Sequence, residues 1–485
     1  GLAAAKDNGF NACAIVFMHG YRYPDHEQRA AAIAREAGFD QVSVSHEVSA
    51  LIKLVGRGDT TVVDAYLSPI LRRYVDQVAG QLQRENGEQP RLMFMQSNGG
   101  LIDADRFQGK DCILSGPAGG IVGAVETARA YGFNRIIGFD MGGTSTDVAH
   151  YDGVYERTFE TAVAGVRMRA PMMSIHTVAA GGGSICHFDG ARFRVGPESA
   201  GANPGPASYR RGGPLTVTDC NVMLGKLQPS FFPRVFGPEG DEPLDAEVVR
   251  KKFVALAEEI AEQTGTRRAP VEVAAGFLRI AVDNMAHAIR QVSVQRGHDV
   301  SGYALNSFGG AGGQHACLVA DALGIETVLL HPYAGVLSAY GMGLADLRSL
   351  REGSIEGVLN ADTLARTEDR ARALADEATQ ELRDQGVTPD LISVQTRLHL
   401  KYAGTDKSLA VPLGDAEGMA ADFHSLHQQQ FGFTMDGRDL IVEMVAVEAI
   451  GASGTTATVD DATGGKRMGG LPLPPPLTVT GVYCQ

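Results

Sequence analysis

The apolar positions of this chain switch repeatedly between a strand period and a helix period. Residues 14–18 form a short apolar run, 26–37 carry apolar positions at helical spacing and stop at Gly38, and 41–45 are apolar again. Residues 12–48 therefore predict a strand–helix–strand unit. His19 and His46 fall just past the two strands. Nothing near either completes a metal set, so both read as hydrogen-bonded loop histidines rather than ligands. A long helix is predicted over 61–83 and a buried strand over 92–95. The stretch 114–120, with Gly116, Gly119 and Gly120, opens a helix that runs through Ala130. Glycines at such a junction either leave free N–H groups at a helix start, an anion site, or serve close helix packing.

The middle of the chain is organised around one stretch. The apolar run 136–139 ends in Asp140; Gly142 and Gly143 follow, then Thr144, Ser145 and Thr146, then Asp147 and another apolar start at Val148. This pattern predicts a β-hairpin whose tip holds a phosphate, or else an ordinary glycine-rich turn. Glycines let backbone N–H groups approach an anion, and the hydroxyls add donors. Asp140 and Asp147 would repel a phosphate directly, so as a pair they make sense if Mg²⁺ or its waters lie between.

Further glycine clusters follow other apolar runs. Gly181, Gly182 and Gly183, then Ser184, come after the apolar 172–178 and suggest backbone close to a ligand. The loop 196–206, rich in Gly and Pro, is either functional or a structural Ω-loop. Residues 216–221 read as a short strand, in which Asp219 and Asn221 either touch metal or substrate or cap a helix over 222–226. A charged helix is predicted over 244–263 and a long one over 271–294, with Asp283, Asn284, His287 and Arg290 on its polar side. The strand from Leu305 runs into Gly309, Gly310, Ala311, Gly312 and Gly313, which suits a flat or anionic group lying on backbone. It is not the dinucleotide fingerprint, which needs an acidic residue at a set distance. A strand over 327–331 and a small-residue segment over 335–343 follow. The last third reads as separate: a surface helix over 363–385, strands over 391–402, 408–412 and 440–450, a helix over 416–430, a linker over 451–470 and an extended Pro-rich spacer over 471–477.

Bulk properties narrow the function. A chain of 485 residues forms two to four domains, and 44% hydrophobic residues supply an ordinary globular core. The formal charge of -14 argues against nucleic acid or an anionic membrane as partner, though not against an anion held locally. The six cysteines are scattered without a CxxC pair, which fits reduced thiols in a cytoplasmic protein. No apolar run nears the roughly 20 residues of a membrane span, and no signal peptide or Walker loop occurs. Gly1 opens almost at once on a globular pattern and Gln485 closes part-way through one, so the chain reads as a piece of a longer protein.

Five stretches together resemble the A-type region of the hydantoinase/oxoprolinase family: 138–147 around the central hairpin, 177–184, 196–201, Thr218 with Asp219, and 308–316. They occur in family order across nearly the whole chain. Residues 296–299 and 398–406 make it most similar to the eukaryotic 5-oxoprolinase branch. The resemblance implies an α/β, actin/sugar-kinase/Hsp70-like two-lobe ATPase fold with an incomplete N-terminal lobe and a C-terminal α/β segment. It divides the chain into a partial first lobe (1–132), a second lobe with the phosphate and adenosine motifs (133–350), a C-terminal segment (351–460) and a linker with a cut end (461–485).

It also implies ATP-driven opening of 5-oxo-L-proline to L-glutamate, with ATP and Mg as cofactors. Phosphorylation of the lactam oxygen turns an inert amide into an activated imidate, to which water adds. Carried over residue by residue, Asp140 and Asp147 are the catalytic and Mg-holding candidates. Gly142, Gly143, Thr144, Ser145 and Thr146 face the phosphates, and Gly309, Gly310, Gly312 and Gly313 the adenosine. Gly182, Gly183, Ser184 and Asp219 are substrate or loop candidates. The implied partners are a lactam, a B-type half in the same longer chain or a separate subunit, and further copies in a homo-oligomer. A hydantoinase or the ATP-binding subunit of a ketone carboxylase is the alternative within the family, and an inactive nucleotide-binding piece the alternative outside catalysis.

The chain departs from the family pattern in four places. A first Asp-x-Gly-Gly-Thr-x-Thr-Asp hairpin and the B-type half are missing from these residues. Ser174 stands where the family often has Asp before Ile175-His176-Thr177, which removes support for a metal at His176. Cys220 stands where the family usually has alanine. The chain by itself is expected not to turn over substrate.

Overall fold

Five strands scattered over residues 135–330 join in one sheet, in the order Ile175–Val178, Thr146–Asp152, Arg135–Met141, Ala304–Phe308, Thr327–Leu330. Arg135–Met141 and Thr146–Asp152 are the two arms of the predicted hairpin, antiparallel and in continuous register. Ala304–Phe308 lies parallel to Arg135–Met141, and Ile175–Val178 antiparallel to Thr146–Asp152. One consequence matters for everything that follows. Met141, Val178 and Phe308 all end at the same edge of the sheet, because Val178 pairs with Thr146 and Phe308 with Asp140. Three glycine-rich turns are therefore brought to one edge.

The computed structural model describes residues 1–82, 90–163, 165–454 and 480–483. It divides into two compact units, each assembled from separated stretches. The five-stranded sheet belongs to the unit built from Gly123–Tyr155, Ile175–Tyr340 and the chain end. Its core is backed by the helix Pro270–Val292, predicted over 271–294. Pro270 takes the first helical position, where no N–H is needed, and Glu272 accepts from the Ala269 N–H at 2.7 Å. The buried face of this helix, Val273, Phe277, Ala281, Met285 and Ile289 among others, shares one apolar cluster with Ile137, Phe139 and Val148 of the hairpin.

The other unit comprises Gly1–Val122, Glu156–Ser174 and Gly341–Thr455. Near its start, Ala12–Ile15 and Gln41–Val44 pair in parallel across the helix Asp25–Glu36, the βαβ unit the periodicity predicts. His19 lies in a turn as expected, whereas His46 falls in the short helix Ser45–Val48 and places Nδ1 2.8 Å from buried Glu27. The long helix runs Leu54–Gln81, seven residues earlier at its start than the apolar spacing suggests. A six-stranded sheet follows the order Leu409–Pro412, Ile392–Tyr402, Leu440–Gly451, Leu347–Val358, Leu101–Asp103, Met93–Met95. The helix Ala361–Asp384 covers one face, with Ala371 and Leu374 packed against Leu398, Val445 and Val447.

Three readings of the sequence change here. Residues 351–460 are not a separate segment, because Leu347 pairs with Leu101 and ties this sheet to strands from the first 122 residues. Residues 216–221 are not a strand: Val217–Met223 is a helix, since Thr216 and Asp219 form a capping box that overrides the β-branched Thr-Val-Thr run. The small-residue segment over 335–343 is largely the helix Leu337–Leu344. The linker from 455 on and the Pro-rich spacer 471–477 lie outside the described residues. No helix among the described residues is long and apolar enough to cross a membrane.

Candidate functional site

At the sheet edge the hairpin turns over four residues, with the Gly142 N–H donating to the Ser145 carbonyl at 3.0 Å. Gly143 and Thr144 are exposed, while Thr146 is buried and its hydroxyl donates to the Ala180 carbonyl. Neither Gly142 nor Gly143 takes a left-handed φ. A methyl added to Gly142 meets nothing closer than 3.8 Å, and one added to Gly143 meets nothing within 4 Å. The fold itself does not demand glycine at either position, so bare backbone faces open space at the tip.

The second turn is a buttress. A Cβ on Gly181 would lie 2.6–2.7 Å from Gly143, Thr144 and Ser145 backbone atoms, and one on Gly183 2.9 Å from the Gly143 carbonyl oxygen. The Gly182 N–H donates to the Gly142 carbonyl at 3.1 Å, and the Gly183 N–H to that of Gly143. Ser184 is buried and accepts from the Gly181 N–H at 2.9 Å. Gly182, Gly183 and Ser184 thus shape the hairpin turn. Thr218, at the start of the Val217–Met223 helix, completes the clamp: its N–H and its hydroxyl both reach the Gly182 carbonyl at 2.8 Å.

The third turn presses on the hairpin from the other side. Gly309 has φ +81°, and a Cβ there would sit 2.4 Å from Asp140 Oδ1 and 2.5 Å from the Met141 carbonyl oxygen. Ala311 donates its N–H to that same Met141 carbonyl at 2.9 Å. Gly312 packs on Ser307, whose hydroxyl has no partner, while Gly310 and Gly313 are open.

Asp140 and Asp147 face each other directly across the hairpin. Burial pushes the Asp140 carboxyl up to about 6, and the facing Asp147 charge adds to the push. Thr177 donates its hydroxyl to Asp147 Oδ1 at 2.6 Å. Two opposed carboxylates, one of them resisting ionisation, form a donor set suited to a hard divalent cation or its waters.

Asp219 stands apart from this edge chemistry. It is fully buried, and its oxygens accept from the N–H groups of Ala207, Ser208 and Thr216 at 2.8–2.9 Å and from the Thr216 hydroxyl at 3.0 Å. Of the two roles open to it in the sequence, the structure shows the capping one. Asn221 instead turns to the third loop: its Nδ2 donates to Gln314 Oε1 at 2.7 Å and lies 3.2 Å from His315 Nε2. Burial, with Lys226 adding, pushes the His315 imidazole down to about 3, so it is neutral. His315 Nδ1 and Asn221 Oδ1 are buried without partners. The sequence places Gly181 in a ligand-facing glycine run and Thr177 and Thr218 in family-like stretches, but assigns none of the three a part in holding the hairpin. The nearest signal for that part was their place at the glycine run and the capping box.

Residues 57–351 match the family described as Hydantoinase/oxoprolinase, and residues 1–38 its N-terminal region. The chain belongs to the hydantoinase/oxoprolinase family. Among relatives of this family, the 5-oxoprolinase of Saccharomyces cerevisiae is 44% identical over 461 residues, covering 94% of this chain and 36% of that protein. 5-Oxoprolinase 1 of Arabidopsis thaliana is 42% identical, covering 93% of this chain and 37% of its own length. This chain therefore spans little more than a third of those relatives. The solved ATP-dependent caprolactamase from Pseudomonas jessenii superposes with a TM-score of 0.84 at 31% identity, over 94% of this chain and 67% of that one. A nucleotide-free acetone carboxylase shares the fold at a TM-score of 0.63 and 23% identity, over 90% of this chain and 64% of that one. The α/β ATPase-type fold expected from the sequence is borne out by these likenesses.

Proposed function

We propose that this chain is the ATP-handling A-type part of an enzyme that opens a small cyclic amide, with 5-oxo-L-proline as the substrate and L-glutamate as the product. One observation carries the reading. The hairpin tip keeps glycines its own fold does not need, while the glycines of the two flanking turns are pressed against it. Such a tip offers N–H groups and the Thr144 and Ser145 hydroxyls to an anion held close to backbone. The identity of 44% to a 5-oxoprolinase supplies the choice of substrate.

The chemistry asked of these residues is modest. Phosphoryl transfer needs positioning and charge neutralisation more than covalent participation. The hairpin tip would position the phosphates, and Asp140 and Asp147 would hold Mg²⁺ through its waters. The cation would supply charge neutralisation at the transferring phosphoryl group. Gly309, Gly310, Gly312 and Gly313 would offer a flat backbone surface on the adenosine side. Phosphorylation of the amide oxygen ends the resonance that protects the C–N bond, after which water adds and the ring opens. A B-type half, in the same longer protein or a separate subunit, completes the hydrolysis in this reading.

The test is ATP hydrolysis with and without 5-oxoproline, comparing this chain with a longer version joined to its B-type half. Stimulation by 5-oxoproline in the longer protein supports the reading. Stimulation by a hydantoin or a ketone in its place would move the substrate to the other branches of the family. If neither version turns over ATP yet this chain binds a nucleotide analogue, a binding role replaces the catalytic one.

A further inference from the structure

Aromatic and apolar side chains crowd the stretch of chain beside the third turn. Ala304–Phe308 and Thr327–Leu330 run parallel with Ser307 opposite Leu330, so both strands end at the same edge of the sheet. The residues after Leu330 therefore emerge next to Gly309–Gly313. A hydrogen bond joins the two stretches: the Gly309 N–H donates to the Ala334 carbonyl at 3.0 Å. A Cβ added to Gly313 would meet Leu330 Cδ2 at 3.9 Å. Phe308 shares a small buried cluster with Ala124 and Leu337, on which Ala334 and Tyr340 pack.

Three rings gather here. The His331 ring stacks on that of Tyr340 at 5.3 Å and 23°, and the Tyr333 ring lies 5.5 Å from each of them. The Tyr333 N–H donates to His331 Nδ1 at 3.1 Å. An imidazole that accepts at one ring nitrogen is neutral. Burial lowers the His331 imidazole below its ordinary range, in the same sense. His331 thus adds ring surface rather than charge.

The inner members of this group are packed, yet its outer members face water. Tyr333 is 51% exposed, Leu330 58% and Val336 59%. Apolar residues scattered singly on a surface are ordinary, whereas a patch that includes a tyrosine braced by two further rings is of the kind that marks a binding surface. Bare backbone adjoins it. Gly310 follows the residue that bonds to Ala334, and a methyl added to Gly310 meets nothing within 4 Å. An aromatic face beside open backbone suits a flat, aromatic group.

We propose that Tyr333 is the platform on which the base of a bound nucleotide stacks, beside the bare backbone at Gly310. The inference rests on the nucleotide reading of the three turns and adds to it the side chain that holds the base. The hairpin tip takes the phosphates, and the ring cluster of 331–340 takes the other end of the ligand. Every base has a π-face, so the platform supplies affinity for the base without choosing among bases.

Calorimetric titration of this chain with ADP and with inorganic pyrophosphate, which carries the phosphates without a base, tests it. Tyr333→Ala is expected to weaken ADP roughly tenfold or more, the loss of one base–aromatic stack, and to leave pyrophosphate unchanged. Tyr333→Phe should keep the parent's affinity for both, and each variant the parent's melting temperature within a few degrees. The chain has no tryptophan, so Tyr333→Trp makes the platform its sole indole fluorophore. The emission of that variant is expected to change with ADP and not with pyrophosphate. Unchanged ADP affinity in folded Tyr333→Ala, or equal weakening of both ligands, overturns the platform and leaves the nucleotide site standing. Binding of neither ligand by the folded parent overturns the nucleotide reading and the platform with it.

Discussion

The Thr177 hydroxyl donates to Asp147 Oδ1 at 2.6 Å, between residues that are direct partners across two antiparallel strands. It holds the outer carboxylate of the hairpin in one orientation, facing Asp140. Thr177→Val keeps the shape and removes the donor. In the longer, active protein it is expected to lower kcat/KM for ATP about tenfold, the loss of one hydrogen bond to a charged group. Thr177→Ser should recover most of it. Steady-state kinetics over a range of Mg²⁺ concentrations decide the point, and unchanged kinetics in Thr177→Val would remove Asp147 orientation from the site's requirements.

Asp140 gives the stability of this chain a pH signature. Its carboxyl is raised from 3.8 to about 6, so the folded state holds the proton more tightly than the unfolded state. Stability from this group is therefore present at low pH and lost as pH rises through that window. Asp140→Asn should be more stable than the parent at neutral pH, with the difference closing toward pH 4, and should hydrolyse no ATP in the longer protein. Urea denaturation at several pH values checks the slope. A parent and variant that differ equally at all pH values would contradict it.

The glycines of the three turns should separate into two classes. Gly309→Ala places a methyl against Asp140 and the Met141 carbonyl at a left-handed φ. It should cost about 1–3 kcal/mol from backbone strain alone, before the clash. Gly143→Ala meets nothing within 4 Å. Its stability should stay within about 0.5 kcal/mol of the parent, while binding of a nucleotide analogue weakens. Thermal melts and analogue titrations on the two variants are sufficient. A Gly143→Ala protein that binds the analogue as tightly as the parent would show that the tip does not carry the phosphates.

Asp219→Ala leaves the Ser208 and Thr216 N–H groups and the Thr216 hydroxyl without an acceptor in a buried loop, while the Ala207 N–H keeps the Pro214 carbonyl. A loss of at least about 2 kcal/mol is expected, more than an exposed cap would give. Whatever folded protein remains should keep the parent's KM for 5-oxoproline, measured in the longer protein. A raised KM with unchanged stability would restore the substrate role the sequence left open.

Much of the site was legible because its signals are local. The apolar run into Asp140, the Gly-Gly step and the hydroxyl run predict the hairpin without help from distant residues, and the observed strands Arg135–Met141 and Thr146–Asp152 match it. What each glycine is for was not legible. Gly143 and Gly181 look alike in the sequence, yet one faces open space and the other is wedged against the turn. That difference depends on contacts between stretches far apart in the chain. The same holds for 351–460, which periodicity isolates and the Leu101–Leu347 pairing joins to the early residues. Thr216-Val217-Thr218 misled because β-branched residues favour a strand, while the acceptor at Asp219 decides for a helix.

The order of strands in the six-stranded sheet also sets a timetable for synthesis. Leu440–Gly451 lies between Leu347–Val358 and Ile392–Tyr402, yet it is the last of the six to be made. At a ribosomal pace of roughly 5–20 residues per second, the two outer neighbours wait several seconds for the strand that joins them. During that interval each shows an open edge able to pair with another nascent chain. Arg157 waits longer still for Glu448, its bidentate partner at 2.8 Å. A chain released before Gly451 would keep those edges permanently, so early termination near this strand should yield aggregates instead of a smaller folded protein.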